Sequence, residues 1–151
     1  MTRMTPTELA RAYLDALGRA DLDAVLTLFA PGAVVHSPLY GPLPAEDFYP
    51  KLFADTSGSQ LTLRAVLEGT TTDGRPTVAI CFHFDWRLPS GTPAPFDVVD
   101  LAELDAEGRI TSLRLIYDTV DVRPVFEQDT GRPSWRPGRA STPPLGEDSS
   151  R

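Results

Sequence analysis

Tyr13, Tyr49 and Asp100, with Ser37 between the two tyrosines, are polar residues at positions whose neighbours describe an apolar face. Hydroxyls and a carboxyl converging in an apolar cavity can donate hydrogen bonds to a carbonyl oxygen and stabilise an enolate. Such chemistry also requires a base near the ligand, and no obvious base accompanies the set. Alternatives stand beside this reading. A tyrosine on a helix's apolar stripe also serves as a core residue whose hydroxyl reaches the rim, and a one-residue bulge would turn Asp100 outward.

The elements that must position these groups are legible in the pattern. Thr5-Pro6-Thr7-Glu8 has capping-box spacing with proline at the first helical position. Leu9, Ala10, Tyr13, Leu14 and Leu17 follow as a stripe of helical period, ended by Gly18. Asp21 caps a short second helix that stops at Pro31-Gly32, residues 33–37 read as a strand, 38–44 as a loop and 45–54 as a third helix containing Pro50. Beyond Ser57-Gly58 the period changes to two, and runs 61–71, 76–87, 96–105 and 109–122 are predicted strands separated by turn residues.

Alternation places Val78, Ile80, Phe82, Phe84 and Trp86 on one face, with Cys81, His83 and Asp85 on the other. Phe96, Val98, Asp100, Ala102 and Leu104 share a face in the third run, where Asp100 is the single ionisable group. Leu113, Leu115 and Tyr117 point together in the fourth, opposite Arg114 and Asp118. The fold class is therefore α+β: a curved antiparallel sheet wrapped around about three N-terminal helices. Residues 1–127 form one domain, and 128–151, rich in Pro, Gly, Ser and Arg, read as a flexible tail whose Trp135 could dock.

Composition excludes several classes of function. A chain of 151 residues holds one core, and a formal net charge of −7 disfavours nucleic acid as a partner. No apolar run is long enough to span a membrane, and no secretory leader is evident at the start. Cys81 stands alone, and His36 and His83 do not form a metal site, so neither metal nor other cofactor is expected. A reduced, cytoplasmic setting is the expectation.

The stretch 96–110, the segments Tyr13–Leu17 and Ala20–Val25, the pair Phe48-Tyr49 and the run Ala33–Pro38 resemble the ketosteroid isomerases of the SnoaL-like, NTF2-like superfamily. The resemblance spans Thr5 to about Val122 and implies a cone-shaped fold, a small apolar ligand and a homodimer. It implies that Tyr13 is an oxyanion-hole tyrosine, Asp100 its partner kept protonated, and Tyr49 a second tyrosine bonded to the first. The ketosteroid isomerases are a worked case of a carboxylic acid held neutral by an apolar site. Ile80, Phe82, Phe84, Val98 and Tyr117 match substrate-lining positions. Where the family has a catalytic aspartate before a proline, this chain has Ser37 before Pro38. Asp118 is the substitute carboxylate to consider, although its strand parity points it away from the cavity. The implied function is isomerisation or cyclisation of a steroid- or polyketide-like carbonyl compound. A non-catalytic binding protein, or an epoxide hydrolase of the same fold, are the other readings.

Overall fold

The computed structural model describes residues 3–138. Helix α1 (Pro6–Gly18) begins at the expected capping box: the Glu8 amide donates to the Thr5 hydroxyl and the Thr5 amide to the Glu8 carboxylate. After the short α2 (Leu22–Leu26) come β1 (Phe29–Ser37), β2 (Gly41–Pro44) and α3 (Ala45–Ala54), which accommodates Pro50 in its interior. Four strands follow, β3 (Gly58–Thr70), β4 (Pro76–Arg87), β5 (Phe96–Leu104) and β6 (Ile110–Ile116), and then α4 (Val122–Thr130). They form one six-stranded curved sheet in the order β2-β1-β6-β5-β4-β3. The fold is the α+β, NTF2-like cone.

Four features depart from the sequence expectation. Helix α2 ends at Leu26, and residues 29–32, expected to close it, open β1. The sheet is mixed, because β1 lies parallel to β6 while every other pair is antiparallel. Residues 41–44, expected in a loop, pair with 34–37 as an edge strand. The last long run breaks after Ile116: the Val120 amide donates to the Asp118 carboxylate, and the Arg123 amide donates to the Thr119 carbonyl to start α4.

That helix carries the folded body past Gln128, where the tail was expected to begin. The Arg123 guanidinium donates to the Ser134 hydroxyl and the Trp135 carbonyl, both at 2.6 Å, and to the Pro38 carbonyl at 3.0 Å. The Trp135 amide donates to the Leu39 carbonyl, and its indole lies so close to Gly41 that an added Cβ there would sit 2.7 Å from the ring. Gly41 also has φ +79°, so both its backbone and its neighbour require glycine. The remainder of the expected tail, from 139 on, lies outside the described residues. Truncation after Gln128 is expected to lower the melting temperature by about 5–10 °C, at roughly 2–4 °C per kcal/mol for a chain of this size and several lost bonds to a charged group. A melt within a degree or two of the full chain would show that this docked segment contributes nothing.

Candidate active site

Strand alternation delivers the inner wall of the site. Along β4, Val78, Ile80, Phe82, Phe84 and Trp86 are buried, and along β5 so are Val98, Asp100 and Ala102. Asp100 pairs across the ladder with Ile80 on one side and Leu115 on the other, so its carboxyl stands in an apolar row. It is 1% exposed, and its Oδ1 is buried without a hydrogen-bond partner. Burial pushes its pKa up to about 8, with the Tyr13 hydroxyl partly offsetting the rise.

The helices supply the opposite wall. The apolar stripe of α1 turns Tyr13 inward, and α3 turns Phe48, Tyr49 and Leu52 inward. The two phenolic oxygens meet at 2.7 Å, with the rings edge-on and their centroids 6.3 Å apart. Burial raises both phenol pKa values well above the ordinary range, and the nearby Asp100 raises them further. Both tyrosines are therefore neutral hydrogen-bond donors at physiological pH. Tyr117 stacks on Phe96 at 4.0 Å and is likewise kept neutral by burial, with Asp100 adding to the rise and the Ser37 hydroxyl opposing it.

Ser37 is 3% exposed and borders the cavity, but its hydroxyl oxygen accepts the amides of Leu39 and Tyr40, each at 3.1 Å. Those two bonds engage its acceptor capacity and hold the turn that follows β1. Its proton alone remains for a partner, which is the wrong polarity for a base.

The cavity is bounded by Tyr13, Ser37, Phe82, Phe84, Val98, Asp100 and Tyr117, together with Phe48, Phe96 and Tyr40, the last of which the sequence reading did not single out. Its free volume is about 30 Å³, roughly the share of one water molecule in the liquid. Tyr49 stands behind Tyr13 rather than on the wall, and Ile80 is fully buried in the core beside Asp100. Asp118 is outside: it is exposed and its carboxylate caps the turn before α4. His83 is on the outer sheet face with Asp97, 3.0 Å away.

Tyr40 closes the cavity on its α4 side. Its ring packs edge-on against Phe48 and Phe126, each at 5.5 Å, and its hydroxyl donates to Asp55 at 2.6 Å. Arg132 grips the same carboxylate through both terminal nitrogens, at 2.6 and 3.3 Å. Beyond this wall lies an open pocket of about 580 Å³ bordered by Tyr40, Lys51, Asp55, Phe126, Arg132 and Trp135. The sequence signal for this wall was absent, since Tyr40, Asp55 and Arg132 come from three segments with no shared period. Among the described residues no group of three or more His, Cys, Asp and Glu gathers to hold a metal, and no helix is long and apolar enough to cross a membrane.

The SnoaL-like domain matches residues 10–113. No curated protein matches the chain. Among solved structures, a hypothetical protein with a ketosteroid isomerase-like fold from Catenulispora acidiphila, in complex with trimethylamine, is 20% identical with a TM-score of 0.64, covering 88% of this chain and 100% of that one. SalBIII, an epoxide hydrolase/cyclase-like enzyme in pyran ring formation in polyether salinomycin, is 18% identical with a TM-score of 0.63 over 77% of this chain and 92% of its own. An NTF2-like protein of unknown function from Exiguobacterium is 18% identical with a TM-score of 0.61, over 73% and 98%.

Proposed function

We infer, for a chain that belongs to the SnoaL-like domain family, that the inner cavity binds an apolar carbonyl compound of steroid- or polyketide-like character and converts it by isomerisation or cyclisation through an enol(ate). The observation that carries this is the Tyr13–Tyr49 hydroxyl pair at 2.7 Å, buried beside the Asp100 carboxyl, whose Oδ1 has no partner. When a ligand's carbonyl oxygen takes the Tyr13 proton in place of Asp100, Tyr49 can donate to Tyr13 in turn. That bond strengthens as the ligand oxygen takes on charge in a buried, largely apolar site.

A cavity of about 30 Å³ holds no such ligand, since sites for drug-sized molecules span roughly 300–1,000 Å³. Binding must therefore enlarge the cavity. The second reading, a binding protein without turnover, is supported by the engagement of Ser37 in its turn. An epoxide hydrolase has less support, because the cavity wall carries one carboxyl and no arginine.

Equilenin, a phenol that mimics an enolate, tests the reading by its fluorescence. It is expected to bind, and Tyr13→Phe to weaken it at least ~10-fold through loss of one hydrogen bond to a charged oxygen. Equal affinity for both proteins would remove Tyr13 from the site. Binding accompanied by turnover of 5-androstene-3,17-dione supports the enzyme, and binding without turnover of any carbonyl substrate supports the accessory protein.

A further inference from the structure

An enolising site needs a group that takes a proton from carbon. Among the described residues that border the cavity, none is a histidine, lysine, arginine or cysteine, and Asp100 is the one carboxyl. Ser37 is ruled out by the two amides its oxygen accepts, and Asp118 by its place on the surface. From this we infer that Asp100 is the proton-transfer residue of the site, taking the hydrogen next to the ligand's carbonyl and returning it at a second carbon. Tyr13, supported by Tyr49, then holds the enolate oxygen alone. The inference rests on the enol(ate) reading above and gives Asp100 the opposite role from the protonated donor implied by the family resemblance.

The geometry suits a base. The carboxyl is 1% exposed, borders the cavity, and has an oxygen that accepts no hydrogen bond from the protein. A buried carboxylate with one unclaimed acceptor oxygen is more basic than an exposed one, because burial disfavours its charge more than the Tyr13 hydroxyl stabilises it. The groups that face it are all neutral: Tyr13 from α1, Tyr49 from α3 and Tyr117 after β6, with Ile80 and Leu115 beside it in the sheet. A pKa of about 8 lies close to physiological pH, where proton transfer in both directions is most efficient.

The step balances without a further reactant. The carboxylate of Asp100 forms an O–H bond with the hydrogen on the carbon adjacent to the carbonyl. The C–H electron pair becomes a C=C bond, and the carbonyl π pair moves to oxygen, where the Tyr13 hydroxyl donates to it. In a β,γ-unsaturated ketone the electrons then return to form the carbonyl and the conjugated double bond, while the γ-carbon takes the same proton back from Asp100. The net change is an isomerisation.

The test uses 3-cyclohexenone, whose conjugation is followed in the ultraviolet, together with equilenin binding to the same proteins. The full chain is expected to isomerise it with kcat/KM rising as pH increases through about 8. Asp100→Asn, isosteric and still able to donate, is expected to bind equilenin and to lose about 10²–10⁴-fold in kcat/KM. Activity that falls as pH increases through that range, or an Asp100→Asn rate within tenfold of the parent, overturns the inference and returns Asp100 to the donor role. Equilenin binding with no isomerisation at any pH also overturns it, while leaving a ligand site. Failure to bind equilenin removes the enol(ate) reading beneath it.

Discussion

Replacing Ser37 with aspartate is expected to raise ketone isomerisation near pH 6 by about 10²–10⁴-fold, the usual contribution of a positioned base. The wild-type carboxyl at 100, with a pKa of about 8, is mostly protonated at that pH and can remove few protons. A carboxylate at 37 would inherit the amides of Leu39 and Tyr40, which now bond the serine oxygen at 3.1 Å. Two such donors favour the ionised form, so the new group would be charged throughout the neutral range. Its charge would in turn raise the pKa of Asp100 and hold it protonated, adding a second donor beside Tyr13. The pH profile should change accordingly, from one that rises through about 8 to one already flat at neutral pH. Adding Asp100→Ala to Ser37→Asp should erase most of the gain, because the enolate loses that donor. A folded Ser37→Asp protein that binds equilenin but isomerises no ketone at any pH would mean the cavity is not arranged for enolisation, and the binding-protein reading would replace it.

Asp100 should also govern how stability depends on pH. Its folded-state pKa of about 8 lies above the ordinary 3.8, so between those values the native state holds a proton that the unfolded chain releases. Stability attributable to this group is therefore full below about pH 4 and declines as pH rises towards 8, by at most about 1.4 kcal/mol per unit. The acids whose pKa is lowered, such as Asp97 and Glu127, act with the opposite sign, but their window closes below about pH 5. His36, lowered chiefly by burial, opposes the decline around its own range, and its contribution cancels when two variants are compared.

Asp100→Asn removes the titration. Urea unfolding is expected to give similar stabilities for wild type and Asp100→Asn at about pH 4 and below, and a variant more stable by a few kcal/mol near pH 8. Parallel pH curves for the two proteins would show that the buried carboxyl titrates normally and that water reaches it. A stability gain combined with lost turnover would identify Asp100 as a group retained for chemistry at the expense of the fold.

Much of this site was readable from local order. The capping box set the start of α1 and the helical stripe turned Tyr13 inward, because both depend on residues three and four apart. The period-two alternation of β4 and β5 put Phe82, Phe84, Val98 and Asp100 on one buried face, since a strand without a bulge cannot do otherwise. That Asp100 holds its proton was implied by the family resemblance and not by its row alone.

Other features required the chain to close on itself. The 2.7 Å contact of Tyr13 with Tyr49 joins helices 36 residues apart, and the bidentate grip of Arg132 on Asp55 spans 77 residues. No period relates such positions; the curvature of the sheet and the packing of helices on it bring them together. The same holds for the parallel placement of β1 beside β6 and for the docking of Trp135 on Gly41, in a segment whose composition pointed to disorder. Even Ser37, whose position before a proline drew notice at once, acquired its role only in three dimensions. Sequence placed a hydroxyl at the cavity, and the turn that folds back over it took up the lone pairs that a base would need.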